Sequence, residues 1–168
     1  MRAALCLSLC MLVGCARQVT VIELFPVGGQ ASPWVLVGEV WSGPFDAAAA
    51  GLGTDAERLQ PFGVQRVWLA VYGHDTHSMR RLTARVFAFE SAERAGEALR
   101  VLAPGEAQPF NAGDEGFWTD DGVAYRQGRL LFDIFGNRGD AIAVPEQAVY
   151  LSAYFEKQMT RELGENPK

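Results

Sequence analysis

The chain has 168 residues, and its 20 acidic against 15 basic side chains give a formal net charge of −5. The acidity is spread along the sequence, and Lys157 and Lys168 are the only lysines. No clustered basic face is available to hold phosphates, so nucleic acid is excluded as a partner. Cys6, Cys10 and Cys15 are the only cysteines, which leaves the body of the chain without disulfide or thiol chemistry.

Met1-Arg2 is a short positive start, residues 3–13 form a weakly polar to apolar run, and small Gly14 precedes Cys15. This is the pattern of a secretory signal peptide. The run is shorter than the roughly 20 residues a helix needs to cross the hydrocarbon core, and no second one follows. Leu12-Val13-Gly14-Cys15 resembles the lipobox of bacterial lipoproteins. That resemblance implies cleavage before Cys15, acylation of its sulfur and new amine, and a membrane contact made through lipid alone. Two or more acyl chains at about 0.8 kcal/mol per buried methylene anchor a domain stably, whereas one does not. Ala16 stands where an aspartate would, by similarity to Gram-negative lipoproteins, favour the inner membrane. The expected address is therefore the outer membrane, facing the periplasm. The expected organisation is a signal at 1–14, a lipidated tether at 15–23, one α+β domain at 24–164 and a polar tail at 165–168.

Along the chain, 19–25 reads as a brief extended segment or linker, interrupted by Pro26 and Gly28-Gly29. A first strand begins at Trp34-Val35-Leu36-Val37 and is broken by Gly38, Gly43 and Pro44. Residues 47–53 read as a small-residue loop. Thr54 and Glu57 have the spacing of a capping box, predicting a short helix over 55–59 that Pro61 and Gly63 end. Residues 64–72 and 82–89 are β-branched and aromatic runs forming a hairpin, with 73–78 as its polar tip. In its second strand Leu82, Ala84, Val86 and Ala88 share one face; Arg81, Thr83, Arg85, Phe87 and Phe89 share the other. Ser91 caps a helix with Ala92, Ala95, Leu99 and Leu102 at helical spacing, closed by Pro104-Gly105. Three strands follow at 116–119, 123–126 and 129–135, joined by Asp121-Gly122 and Gln127-Gly128; Asp-Gly is a strong two-residue hairpin signal. Pro145 opens a terminal helix with Ala148, Leu151, Phe155 and Met159 in one stripe. The order predicts an antiparallel sheet of about five to six strands with helices packed on one face.

Chemistry-bearing residues are few. His74-Asp75-Thr76-His77 contains both histidines, and imidazole with carboxylate is a divalent-metal ligand set. A zinc site asks for three or four ligands, and no further histidine completes it, so the plainer reading is a solvated loop and no cofactor is assigned. Asp133 sits mid-strand between Phe132 and Ile134, where a charge is unusual. It is expected to pair with Arg85 or Arg66 on the sheet face away from the helices. Either this is a cross-strand ion pair, or Trp68, Arg85, Tyr125 and Asp133 form a ligand-binding face. Asp114-Glu115 and Asp120-Asp121 lack the oxygen spacing of a calcium loop. Serine and cysteine nucleophile motifs and phosphate-cradling loops are missing after Cys15.

Leu24-Phe25-Pro26, Trp34 with Gly38-Glu39, and Gly53 through Ala56-Glu57 to Phe62-Gly63 begin a series of aromatic and glycine positions. Val86 through Phe89 into Ser91 and Ala95 continues it, and Gly116-Phe117-Trp118 with Tyr125, Gly128 and Arg129 closes it. Their order resembles an uncharacterised bacterial family of exported domains of unknown function, often carrying a lipoprotein signal. The resemblance runs over about 24–163 and implies an α+β domain of the export compartment, with no activity attached. Pro61 and the alanine-rich 46–50 depart from it, since a more regular aromatic helix is expected there. These readings together point to a non-catalytic lipoprotein domain that binds an envelope protein partner or a small ligand. The alternative is a metal-assisted hydrolase using His74, Asp75 and His77.

Overall fold

The computed structural model describes residues 21–77, 79–119, 121–136 and 144–162. Cys15, the signal and the polar tail lie outside the described residues. Among the described residues seven strands are formed: β1 (Trp34–Leu36), β2 (Trp41–Gly43), β3 (Arg66–His74), β4 (Arg81–Ala88), β5 (Glu115–Trp118), β6 (Gly122–Gln127) and β7 (Leu130–Gly136). They make one antiparallel sheet in the order β1-β3-β4-β7-β6-β5, with β2 also paired to β3. The helices are α1 (Phe45–Leu52), α2 (Thr54–Leu59), α3 (Ala92–Leu102) and α4 (Val144–Glu162). The class is the expected antiparallel α+β fold.

The helices, however, cover both faces of the sheet rather than one. Leu82, Ala84, Val86, Tyr125, Phe132 and Ile134 are buried with Ala148, Leu151 and Phe155 of α4. Val67, Phe87, Phe89, Ala124 and Leu131, from alternate positions of the same strands, are buried with Ala48 and Leu52 of α1, Leu59 of α2 and Ala95, Ala98 and Leu99 of α3. The reason is visible in β4 and the residue after it, where Leu82, Ala84, Val86 and Ala88 face one way and Phe87 and Phe89 the other. Apolar side chains on both faces of one strand need a layer on each side to leave water.

Local rules account for most elements. Ser91 caps α3, its hydroxyl accepting the Arg94 N–H at 3.2 Å, and Gly128 takes a positive φ of 57° at the β6–β7 turn. Four local expectations differ from the structure. Residues Val21–Leu24 form a 3₁₀ turn, with Leu24 and Phe25 in the core, because two large apolar side chains there have a core to enter. Residues 45–52 are helical where a loop is expected. Alanine is the strongest helix former, and Ala48 and Leu52, one turn apart, are buried. Thr54 is inside α2, whose cap is Gly53 with no side-chain hydrogen bond. Gly122 lies in β6 paired with Phe135, without a positive φ; a Cβ there would overlap the Ile134 carbonyl oxygen. This glycine serves close strand approach rather than a type I′ turn.

Candidate functional site

Strand register lines up Trp41, Leu69, Arg85, Asp133, Ala124 and Phe117 across the whole sheet. Ala124 and Phe117 are buried with α1, α2 and α3, so the row belongs to that face. Arg85 and Asp133 are thus direct cross-strand neighbours. The Arg85 Nε donates to Asp133 Oδ2 at 2.7 Å, and its Nη2 donates both to the same oxygen and to Asp55 Oδ2 of α2, the latter at 2.7 Å. The guanidinium also lies over the Phe135 ring, 4.6 Å from its centroid. One cation therefore serves two carboxylates. Burial pushes the Asp133 carboxyl above its usual range against the opposing pull of Arg85. Burial works against the Arg85 charge as well, but the two carboxylates outweigh it and hold the guanidinium above its ordinary value.

Beyond this row the helices leave the face uncovered. Val71 pairs with Thr83, and Thr83 with Phe135. The Val37 N–H donates to the Val71 carbonyl at 2.8 Å, and Val35 pairs with Gly73. Val35, Val37, Trp41 and Val71 are 36–46% exposed, which makes an apolar strip on β1, β2 and β3 bounded by the charge cluster. The Trp41 indole lies against Gly43, where a Cβ would come within 2.7 Å of the ring. Small Gly43 therefore lets the indole lie along the sheet with one side open.

The expected ligand face does not assemble. Arg85 and Asp133 are on the face of α1–α3, whereas Trp68 and Tyr125 are buried on the α4 face. Tyr125 stacks on Phe132 at 4.8 Å and its hydroxyl donates to the Ser152 carbonyl at 3.5 Å. Sequence parity within one strand is readable, but relative parity between strands depends on register. The Asp133 partner is Arg85 as expected. The pair lies under α2 rather than away from the helices.

At the β3–β4 tip, His74 and His77 bring their Nδ1 atoms 3.3 Å apart, and Asp75 Oδ1 lies 3.4 Å from His74 Nδ1. Among the described residues, no group of three or more His, Cys, Asp or Glu side chains is arranged to hold a metal ion. The three-ligand set His74, Asp75 and His77 is therefore not formed. Asp114 is a brace, accepting from Arg126 Nη1 at 2.7 Å and from the Gly128 N–H at 2.8 Å.

No family model, curated protein or solved structure matches the chain.

Among the described residues no helix is long and apolar enough to cross a membrane. Sequence reasoning missed Asp55, which it assigned to a helix start, and the strip at Val35, Val37, Trp41 and Val71. A signal for the strip exists in retrospect. β3 carries apolar residues on both faces, Val67, Leu69 and Val71 on one and Trp68, Ala70 and Tyr72 on the other, while the short helices around 45–59 cover only part of the first.

Proposed function

We propose that the chain is a lipid-anchored bacterial envelope protein whose domain binds a protein partner through the open half of its sheet. The observation that carries this is the strip of Val35, Val37, Trp41 and Val71, exposed on rigid paired strands beside a buried charge cluster. Contiguous apolar surface marks contact sites, unlike apolar side chains exposed singly, and a tryptophan flanked by aliphatic groups is the composition of an interface centre. Arg81, exposed and opposite Gly73, supplies a polar rim. The resemblance to exported domains and the lipobox-like Leu12-Val13-Gly14-Cys15 support the address.

A photo-crosslinking amino acid placed at Val37 or Val71 in intact cells is expected to trap one discrete envelope protein, while the same group at exposed Lys157 on α4 traps none. Equal capture from all three positions, or none from any, would remove the reading. The anchor has a separate test. Cys15→Ser is expected to accumulate as an unacylated, uncleaved precursor, detected by its mass. Normal processing of that variant would refute lipidation.

A further inference from the structure

We infer that the β3–β4 tip is a two-nitrogen site for a late divalent transition metal, held by the Nδ1 atoms of His74 and His77. This goes beyond the partner-binding reading and does not depend on it. Two nitrogens bound to one ion at the 2.0–2.1 Å typical of zinc–imidazole bonds, at a tetrahedral angle, stand about 3.3–3.4 Å apart. The two Nδ1 atoms are 3.3 Å apart and hydrogen-bonded to each other, so the pair has the bite of a chelate and an ion takes the place of the proton they share.

The His74 nitrogen already presents the right form, and with it as acceptor the hydrogen bond between the rings is donated by His77 Nδ1, whose proton an incoming ion displaces. The Thr76 N–H donates to His74 Nδ1 at 3.3 Å, which makes that atom the lone-pair-bearing nitrogen and places the ring proton on Nε2. Neutral imidazole with a free lone pair is the ligand form. This backbone contact is longer than the usual 2.7–3.2 Å range for N–H···O, so an ion displaces little by taking the lone pair. The Thr76 hydroxyl lies 2.9 Å from His77 Nδ1 and 3.2 Å from His74 Nδ1, but its single hydrogen serves one nitrogen at a time. The Asp75 carboxylate, 3.4 Å from His74 Nδ1, adds negative charge beside the pair.

The frame is held from behind. The His74 ring packs edge-on against Trp34, centroids 5.2 Å apart, and its side chain is only 13% exposed. The backbone around it is tied by Asp75 N–H to Pro33 O, His77 N–H to His74 O and Arg80 N–H to His77 O. With two protein ligands, the remaining coordination positions belong to water or to an incoming donor. Imidazole pairs favour copper, nickel and zinc over magnesium or calcium; the 3.3 Å separation is that of a tetrahedral ion such as zinc, and copper(II) serves as the spectroscopic probe of the same two nitrogens.

The test uses the full-length chain in detergent, titrated with copper(II) chloride and separately with zinc chloride. Uptake of one copper ion beyond that of a His74→Ala/His77→Ala double variant is expected, with an electron paramagnetic resonance spectrum showing coupling to two nitrogens. His77→Ala, an exposed position whose loss leaves the fold intact, is expected to lower affinity at least tenfold and reduce the coupling to one nitrogen, since even outer partners of metal ligands are worth about 10–100-fold. His74→Gln is expected to do the same while keeping a polar group beside Trp34. Copper uptake by the wild type equal to that of the double variant overturns the site, as does retention of full affinity in His77→Ala. Those results would mean that the two imidazoles share only hydrogen bonds, with Thr76 and with each other.

Discussion

Arg85→Met is expected to destabilise the domain by about 3–5 kcal/mol at neutral pH, the usual cost of removing one member of a buried ion pair. Methionine keeps much of the packing against Phe135, so the loss isolates the charge. What remains is Asp133, 5% exposed, and Asp55 of α2, with no cation between them. The sign of the pH dependence follows from the same geometry. Burial already pushes the Asp133 carboxyl up in the native protein, and removing Arg85 takes away the opposing pull. A carboxyl whose folded pKa is raised contributes stability when protonated and loses it as pH rises through the folded value. The penalty of Arg85→Met is therefore expected to be small at acid pH, below the unfolded carboxyl value of about 3.9, and full at neutrality. Urea midpoints measured from acid to neutral pH read this directly. Adding Asp133→Leu to Arg85→Met is expected to recover most of the loss, because a buried pair replaced whole by apolar groups is often neutral. A pH-independent penalty, or no recovery in the double variant, would contradict this account.

Phe132→Ala is expected to cost about 3–5 kcal/mol, the range for truncating a buried aromatic ring. Phe132 is fully buried, stacked on Tyr125 at 4.8 Å and within 5.5 Å of the Phe155 ring. It joins β6, β7 and α4, so the space it leaves cannot be closed without moving the helix. Val37→Ala, on the open face, is expected to change stability by less than about 0.5 kcal/mol. The pair of measurements separates the two faces: one is core, the other is surface kept apolar for contact. A cost of several kcal/mol at Val37 would mean that the strip is covered in the folded protein, and would count against partner binding there.

What could be read without coordinates was whatever is decided within a few residues. Period-two alternation predicted the β3–β4 hairpin and the correct division of Leu82, Ala84, Val86 and Ala88 from Arg85, Phe87 and Phe89. Ser91 and the apolar spacing after it predicted α3, and the three-strand meander and the terminal helix followed from turn residues and periodicity. Local signals also misled where two mechanisms share one residue type. Gly122 looks like a turn glycine but is needed for strand approach, and the alanines of 45–52 look like a loop because their helix buries only Ala48 and Leu52.

The sequence by itself determined an antiparallel α+β domain and the unusual mid-strand charge of Asp133, because alternation, capping and turn chemistry act over a turn or a strand. Tertiary structure alone decided that the helices cover both faces, that Trp68 and Tyr125 turn away from Arg85 and Asp133, and that Asp55 joins them. These depend on register and on contacts between residues 30 and 48 positions apart, which no local pattern encodes. The convergence of the two Nδ1 atoms is a mixed case. Sequence placed both histidines at one hairpin tip, but only the folded backbone, tied to Pro33 and Arg80 and packed on Trp34, sets their separation.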